Sequence, residues 1–148
     1  MKNKNIFTRV ATLGLPSDIP AHGTIGSLLA VVGLYLLAFL VPNYGWAFPV
    51  IVGLFALIII TYALPSFNKS DPGQICLDEV VGIIVTFTLA QLNLWNLIAG
   101  FALFRIFDIS KILGLKYLER LPGAWGVVLD DVGAGVLAGL SLWALNLI

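Results

Sequence analysis

Long apolar stretches without charged side chains alternate along this chain with short charged patches. Residues 19–68, 80–104 and 132–148 contain no Lys, Arg, Asp or Glu. A helix that crosses a bilayer needs about 20 predominantly apolar residues. We therefore predict helices at residues 25–41, 46–64, 76–91, 94–110 and 127–148. The pattern predicts an all-α, polytopic membrane bundle with about five membrane helices.

The two middle helices are short of apolar residues. Only the 25 residues of 80–104 separate Glu79 from Arg105, and an uncharged turn near Asn93 divides them. Two full spans would need about 40 residues. Either this hairpin enters the bilayer only part way, or its helices extend through the flanking charges. We favour the second arrangement, in which those charges face a bundle interior or a wet cavity.

The charged patches should all lie at one end of the bundle. The turns at the other end, near residues 42–45 and 91–93, carry no charge. The positive-inside rule assigns the end that holds the basic residues to the cytoplasm. We expect one membrane domain over residues 1–148, with a cytoplasmic N-terminus and a cytoplasmic segment at 1–22. A short amphipathic surface helix is predicted within 111–125.

Composition agrees with a membrane protein and excludes several classes. Hydrophobic residues make up 59% and charged residues 11%, whereas soluble domains average about 45–50% and about 25%. Mean hydropathy is +1.01. The net charge of +0 gives no indication of nucleic-acid binding. With Cys76 as the only cysteine and His22 as the only histidine, an intrachain disulfide, a multi-cysteine metal site and a two-histidine phosphatase are excluded.

Two acidic pairs begin predicted membrane helices. These pairs are Asp78-Glu79 and Asp130-Asp131. Acidic residues are common at helix N-termini, but adjacent like charges need a cation nearby. Carboxylate oxygens are the ligands that Mg²⁺ prefers. We therefore interpret Asp78, Glu79, Asp130 and Asp131 as candidate metal ligands.

Small residues follow the second acidic pair. Asp131, Gly135 and Gly139 are four residues apart and share one helix face. Such stripes mark close helix packing in membranes. The aspartates should therefore point into the bundle, and the Gly135/Gly139 stripe could also pack between chains of an oligomer.

A third group combines opposite charges. Arg105, Asp108 and Lys111 are three residues apart, so they share one face of a helix. A local ion pair with a snorkelling lysine is the plain alternative. Because Arg105 lies within an apolar helix, where an unpaired charge is costly, we favour a functional role. Arg105 and Lys111 suit an anionic substrate, and Asp108 suits a ligand or a base.

The first membrane helix opens with a polar, glycine-containing segment. Thr24 is a candidate N-cap, and Gly23 and Gly26 permit close backbone approach. A helix N-terminus is a natural anion site, although an ordinary cap explains the same residues. Farther along the chain, Asp71 is a candidate cap for a turn before the first acidic pair.

Together these groups indicate metal-assisted chemistry on a phosphate group at the inner surface of a membrane, which points to a lipid headgroup. A small ion- or proton-coupled transporter is one alternative, but the uncharged far side disfavours it. A Mg²⁺-dependent headgroup transferase is another. The Asp-Gly-x-x-Ala-Arg opening of the CDP-alcohol phosphotransferases is absent.

The four motifs, in this order, resemble the phosphatidylglycerophosphatase A family. The matching stretches are Gly23-Thr24-x-Gly26-Ser27-Leu28, Asp71-Pro72 with Asp78-Glu79-x-x-Gly82, Phe104-Arg105-x-x-Asp108-x-x-Lys111, and Pro122-Gly123-x-x-Gly126 with Asp130-Asp131-x-x-Ala134-Gly135. The resemblance implies a Mg²⁺-dependent enzyme of the bacterial inner membrane, with its site on the cytoplasmic face. Such an enzyme hydrolyses phosphatidylglycerophosphate to phosphatidylglycerol and inorganic phosphate.

We assign hypothetical roles on this basis. Asp108, Asp131 and Arg105 would be catalytic, and either a water or one of these two aspartates would attack. Phosphate would be bound by Arg105, Lys111, Thr24, Gly26 and Ser27. The departures from the family pattern are His22 and Ile112, where prolines are usual, and Ala124, where a glycine is usual. They affect loop geometry and headgroup selectivity more than the reaction.

Overall fold

A computed structural model describes residues 5–40, 45–67 and 72–146, and these residues form an α-helical bundle without strands. The helices are α1 (Ile6–Ala11), α2 (His22–Leu40), α3 (Ala47–Ala63), α4 (Leu77–Thr88), α5 (Leu94–Ser110), α6 (Leu115–Leu118) and α7 (Ala124–Leu145). A 3₁₀ turn, Leu64–Ser66, extends α3. The all-α prediction is confirmed.

Helix α4 lies at the centre of the bundle. It packs against α7, α2 and α3, and α5 packs against α7. Glycines on α7 allow it to approach α4 closely. A Cβ at Gly135 would overlap the carbonyl oxygen of Gly82, and one at Gly139 would lie 2.8 Å from the carbonyl oxygen of Thr86. The Gly135/Gly139 stripe therefore packs against α4 within the chain. The stripe was also predicted to be able to pack between chains of an oligomer, but α4 already covers this face.

Within the described residues, two helical segments are long and apolar enough to cross a membrane, Ala47–Ser66 and Ala124–Leu145. A shorter apolar helix covers His22–Ala38. Helix α4 contains 12 residues, so it is about 18 Å long, less than the roughly 30 Å of a bilayer core. It ends at Thr88 rather than at the predicted residue 91. Helices α4 and α5 both include the charges that flank the hairpin, as we favoured.

Two local predictions near the charged end are corrected. Helix α2 begins at His22 rather than at residue 25, because Ala21 has a positive φ of 55° and breaks the chain direction just before it. Thr24 therefore lies in the first turn and is not the N-cap. The predicted surface helix within 111–125 is reduced to the single turn Leu115–Leu118, because Leu113 and Gly114 have φ values of 54° and 91°.

The segment 1–22 contains a helix that the hydrophobic pattern did not predict. Asn5 caps α1 by accepting a 2.8 Å hydrogen bond from the backbone N–H of Thr8. The carbonyl oxygen of Ala11 accepts a 2.8 Å bond from the backbone N–H of Cys76, just before α4. This segment is therefore attached to the bundle near the acidic residues. Asp71 and most of the predicted 42–45 turn lie outside the described residues.

Candidate active site

One end of the bundle contains a cavity of about 360 Å³ between the starts of α2, α4 and α7 and the end of α5. Five carboxylates and two cations line it: Asp78, Glu79, Asp108, Asp130, Asp131, Arg105 and Lys111. Three separate parts of the sequence, residues 78–79, 105–111 and 130–131, supply these groups. The structure thus brings together every predicted metal ligand and both predicted phosphate-binding cations.

The carboxylates form two groups that share one residue. Oxygens of Asp78, Glu79 and Asp131 lie within 4.8 Å of one another, as do oxygens of Asp108, Asp130 and Asp131. Asp131 belongs to both groups and is 4% exposed. Its position depends on the contact between α4 and α7, where a Cβ on Gly82 would lie 2.7 Å from the backbone oxygen of Asp131.

Arg105 connects three helices at this end of the bundle. Its guanidinium donates a 2.6 Å hydrogen bond to Asp108 and lies 3.8 Å from Glu79. It also donates 3.4 Å hydrogen bonds to the hydroxyl oxygens of Ser27 and Thr24. Arg105 is therefore fixed between α2 and α4 while its guanidinium remains on the cavity wall.

The glycine-containing start of α2 serves this arrangement in two ways. A Cβ at Gly23 would overlap Oε1 of Glu79 and lie 3.2 Å from Arg105, so only glycine leaves room for that ion pair. A Cβ at Gly26 would lie 2.6 Å from Cβ of Cys76. Gly26, predicted to bind phosphate, thus lies against Cys76 outside the cavity lining. Ser27 is fully buried and contacts Arg105.

Lys111 ends α5 and joins the second acidic group. Its φ of 49° is in the left-handed region, and it forms the C-cap. The ammonium is hydrogen-bonded to Asp130 and lies 3.6 Å from Asp108. Burial of the ammonium acts to lower the pKa of Lys111, but the bond to Asp130 and the charges of the nearby aspartates raise it above its usual value. Lys111 is therefore a cation at any physiological pH.

The donor set fits a divalent cation. Five carboxylates surround only two cationic side chains, so the cavity has an excess of negative charge. Oε2 of Glu79 is buried and has no hydrogen-bond partner among the described residues. A buried carboxylate oxygen without a partner is costly unless a cation compensates it. The acidic cluster could therefore bind a metal ion.

Several residues on the cavity wall were not predicted as site residues, and His22 and Ile109 are two of them. His22 is 7% exposed, and its Nε2 donates a 2.7 Å hydrogen bond to the carbonyl oxygen of Pro16. Ile109 also lines the cavity but is 69% exposed. His22 was noted as the only histidine and as a departure from the family pattern, but not as a residue of the cavity wall. Ile109 gave no signal, because an isoleucine in an apolar helix is ordinary.

Comparison with known proteins agrees with this geometry. The sequence profile of phosphatidylglycerophosphatase A matches residues 6–146. The chain belongs to this family. The resemblance seen in the ordered motifs is thus confirmed, and the protein is an enzyme of the phosphatase class.

Curated relatives include two proteins named phosphatidylglycerophosphatase A. The one from Haemophilus influenzae is 32% identical, over 86% of this chain and 80% of its own length. The one from Escherichia coli is 33% identical, over 88% and 76%. A putative phosphatidylinositol-3-phosphatase from Bacteroides thetaiotaomicron is 39% identical, over 85% and 86%. No solved structure matches the chain.

Proposed function

We propose that this protein is a Mg²⁺-dependent lipid phosphomonoesterase that hydrolyses phosphatidylglycerophosphate to phosphatidylglycerol and inorganic phosphate in phospholipid biosynthesis. The observation that carries the proposal is the single cavity in which two carboxylate groups sharing Asp131 face Arg105 and Lys111. Oxygen ligands for a hard cation and fixed cations for an anion are what a phosphate ester requires. The names of the two phosphatidylglycerophosphatase A relatives support the choice of substrate.

Arg105 and Lys111 bind the phosphate in this proposal. Both are already held in place by Asp108, at 2.6 and 3.6 Å. A fixed guanidinium needs little reorganisation when charge develops on the phosphoryl oxygens. Thr24 and Ser27 contribute by holding Arg105 from α2. Asp108 is thus a positioning residue for the two cations before substrate binds.

Asp78, Glu79, Asp130 and Asp131 hold the metal ion in this proposal. Mg²⁺ bound there would supply polarisation of the phosphoryl oxygens and a lower pKa for an attacking water. In the hydrolysis a water oxygen bonds to phosphorus, the bond from phosphorus to the glycerol oxygen breaks, and the glycerol oxygen takes up a proton. In this proposal Asp131 accepts a proton from the attacking water.

Attack by an aspartate is the competing route. Asp108 pairs both its oxygens with cations, which lowers its nucleophilicity, so direct attack by water is the route we favour. Rapid-quench labelling should trap no acid-stable, hydroxylamine-labile phosphoenzyme. A labelled enzyme whose label disappears in Asp108→Asn would establish the aspartyl-phosphate route instead.

The same proposal places the chain in the bacterial inner membrane as one multi-pass domain. About five membrane helices, α2 to α5 and α7, would put the N-terminus and the cavity on the cytoplasmic side. The two apolar segments Ala47–Ser66 and Ala124–Leu145 support membrane insertion. The basic residues near the cavity support the orientation, by the positive-inside rule. Cysteine accessibility at Lys116→Cys and Asn146→Cys, probed from either side of inner-membrane vesicles, would test it.

A second headgroup has support from one observation. The relative with 39% identity is named a putative phosphatidylinositol-3-phosphatase, and its phosphomonoester would meet the same cations and carboxylates. An inositol phosphate headgroup is bulkier than glycerol phosphate. Of the departures from the family pattern, His22 lines the cavity and therefore borders the space that a headgroup would occupy.

The deciding experiment is phosphate release by the detergent-purified protein from phosphatidylglycerophosphate and from phosphatidylinositol 3-phosphate, with Mg²⁺ and with EDTA. Mg²⁺-dependent release that is faster from phosphatidylglycerophosphate supports the proposal. Faster release from the inositol lipid would replace the substrate but retain the mechanism. No release from either lipid by folded protein would refute the proposed function and make ion flux in liposomes the next test.

A further inference from the structure

Exposed residues line the cavity at two separate places. Ala21 and Gly73, both exposed, lie in the segments that precede α2 and α4. Ile109 lies near the end of α5 and is 69% exposed. The other apolar side chains of the lining, Ile75 and Val127, are buried. We call the first place the aqueous opening and the second the lateral opening.

The lateral opening is defined by Ile109 at the end of α5, which lines the cavity together with His22 and Gly23 at the start of α2. Thr24 on α2 is exposed, and its hydroxyl oxygen accepts a hydrogen bond from Arg105 on α5. Leu28 follows Thr24 by one helical turn, on the same face, and is 52% exposed. Ile109 follows Arg105 in the same way. The guanidinium of Arg105, which faces the cavity, is thus flanked on its outer side by the exposed apolar side chains of Leu28 and Ile109.

A larger apolar cavity lies elsewhere and does not connect to this site. It has a volume of about 480 Å³ between α2, α3 and α4 and is lined by Leu29, Gly33 and Ile84 among others. The contact of Gly26 with Cys76 closes α2 onto α4 between this cavity and Arg105. Leu29 and Leu28 are about 100° apart around α2, so the two surfaces are distinct.

We infer that the phospholipid substrate enters the cavity sideways through the lateral opening, with its acyl part along Leu28 and Ile109, and that phosphate leaves through the aqueous opening. This inference rests on the proposed lipid phosphatase function. A phospholipid carries its charge at one end and its apolar chains at the other. The lateral opening has the matching order, with the Arg105 guanidinium toward the cavity and the apolar side chains of Leu28 and Ile109 outside it. Inorganic phosphate has no apolar part, so the exposed path past Ala21 and Gly73 suits it.

The test compares a long-chain lipid with a water-soluble analogue of the same headgroup whose acyl chains are truncated. Ile109→Trp and Leu28→Trp should each raise KM for the long-chain lipid roughly tenfold, which corresponds to about 1.4 kcal/mol. Turnover of the soluble analogue should not change in Leu28→Trp, because this analogue needs no acyl contact and Leu28 does not line the cavity. Two variants serve as controls. Ile98→Trp is matched in size and lies on a 57% exposed residue of α5 near its other end, and Gly33→Leu adds bulk in the separate apolar cavity.

Two kinetic outcomes would overturn the inference. One is a rise in KM for the long-chain lipid in Gly33→Leu without a rise in the Leu28 and Ile109 variants. The other is equal loss with both substrates in Ile109→Trp and Leu28→Trp, which would mean that they only disturb the site. Failure of the wild type on phosphatidylglycerophosphate concerns the proposed function instead, and a second measurement then decides the route.

That measurement is photolabelling with phosphatidic acid that carries a diazirine in its acyl chain, which requires no turnover. Peptide mapping should locate the label at residues 24–28 and 106–109. Excess unlabelled phosphatidic acid should suppress this labelling more than excess neutral lipid does. A label confined to residues around Gly33, or suppressed equally by both lipids, would contradict lateral entry at α2 and α5.

Discussion

Replacing Gly135 by alanine should move Asp131 away from Asp78 and Glu79, its partners in the first carboxylate group. The added Cβ would overlap the carbonyl oxygen of Gly82 and lie 3.1 Å from its carbonyl carbon and 3.2 Å from its Cα. These atoms belong to the helix backbone and cannot rotate away. Because carbon atoms pack best at about 3.5–4.0 Å, α7 must move from α4 by roughly 1 Å.

The effects on stability and on activity should differ in size. Overpacking costs about 1–3 kcal/mol, and the higher helix propensity of alanine offsets about 1 kcal/mol of it. The free energy of unfolding should therefore fall by only about 0–2 kcal/mol. Asp131 lies one turn before Gly135 and would move away from Asp78 with α7. A displacement of about 1 Å in a catalytic site can cost roughly 100-fold in rate.

The assay is kcat for lipid phosphate release together with the midpoint of thermal unfolding in detergent. Gly33→Ala is the matched control, because its Cβ would meet no atom within 4 Å, and it should retain full activity with equal or slightly higher stability. Wild-type kcat in Gly135→Ala would refute the argument that this contact sets the geometry of the carboxylates. So would an equal loss in Gly33→Ala.

Three further predictions follow from the site. Mg²⁺ should raise the unfolding midpoint of the wild type, whereas Asp131→Asn should abolish both this rise and turnover; a retained Mg²⁺-dependent shift would remove Asp131 from the metal ligands. Arg105→Lys should lower kcat on the order of 100-fold, because lysine cannot form a bidentate contact with phosphate; near-normal kcat would mean that charge alone suffices. Cys76 is fully buried and packs against Gly26, so folded protein at pH 8 should resist maleimide until it is denatured, and rapid labelling of the folded protein would contradict this packing.

The sequence by itself determined the helical class and the membership of the polar site. Charge-free apolar stretches can satisfy their backbone in a membrane only as helices, so the positions of α3, α5 and α7 followed closely from the pattern. Charged side chains within a membrane are costly, so they are rare and usually mark a functional site. That cost indicated a role for Arg105, and the need of adjacent like charges for a cation indicated Asp78, Glu79 and Asp131.

Tertiary structure decided how these residues meet and which surfaces remain. The Gly82–Gly135 contact, the placement of Gly26 against Cys76 and the exposure of Ile109 all depend on contacts between residues distant in sequence. A local pattern cannot indicate whether a glycine faces a partner helix of the same chain, a second chain or a ligand. It also cannot distinguish an isoleucine in contact with lipid from one beside a cavity, because both satisfy the same hydrophobic requirement. Only the packing of α2, α4, α5 and α7 on one another supplies that information.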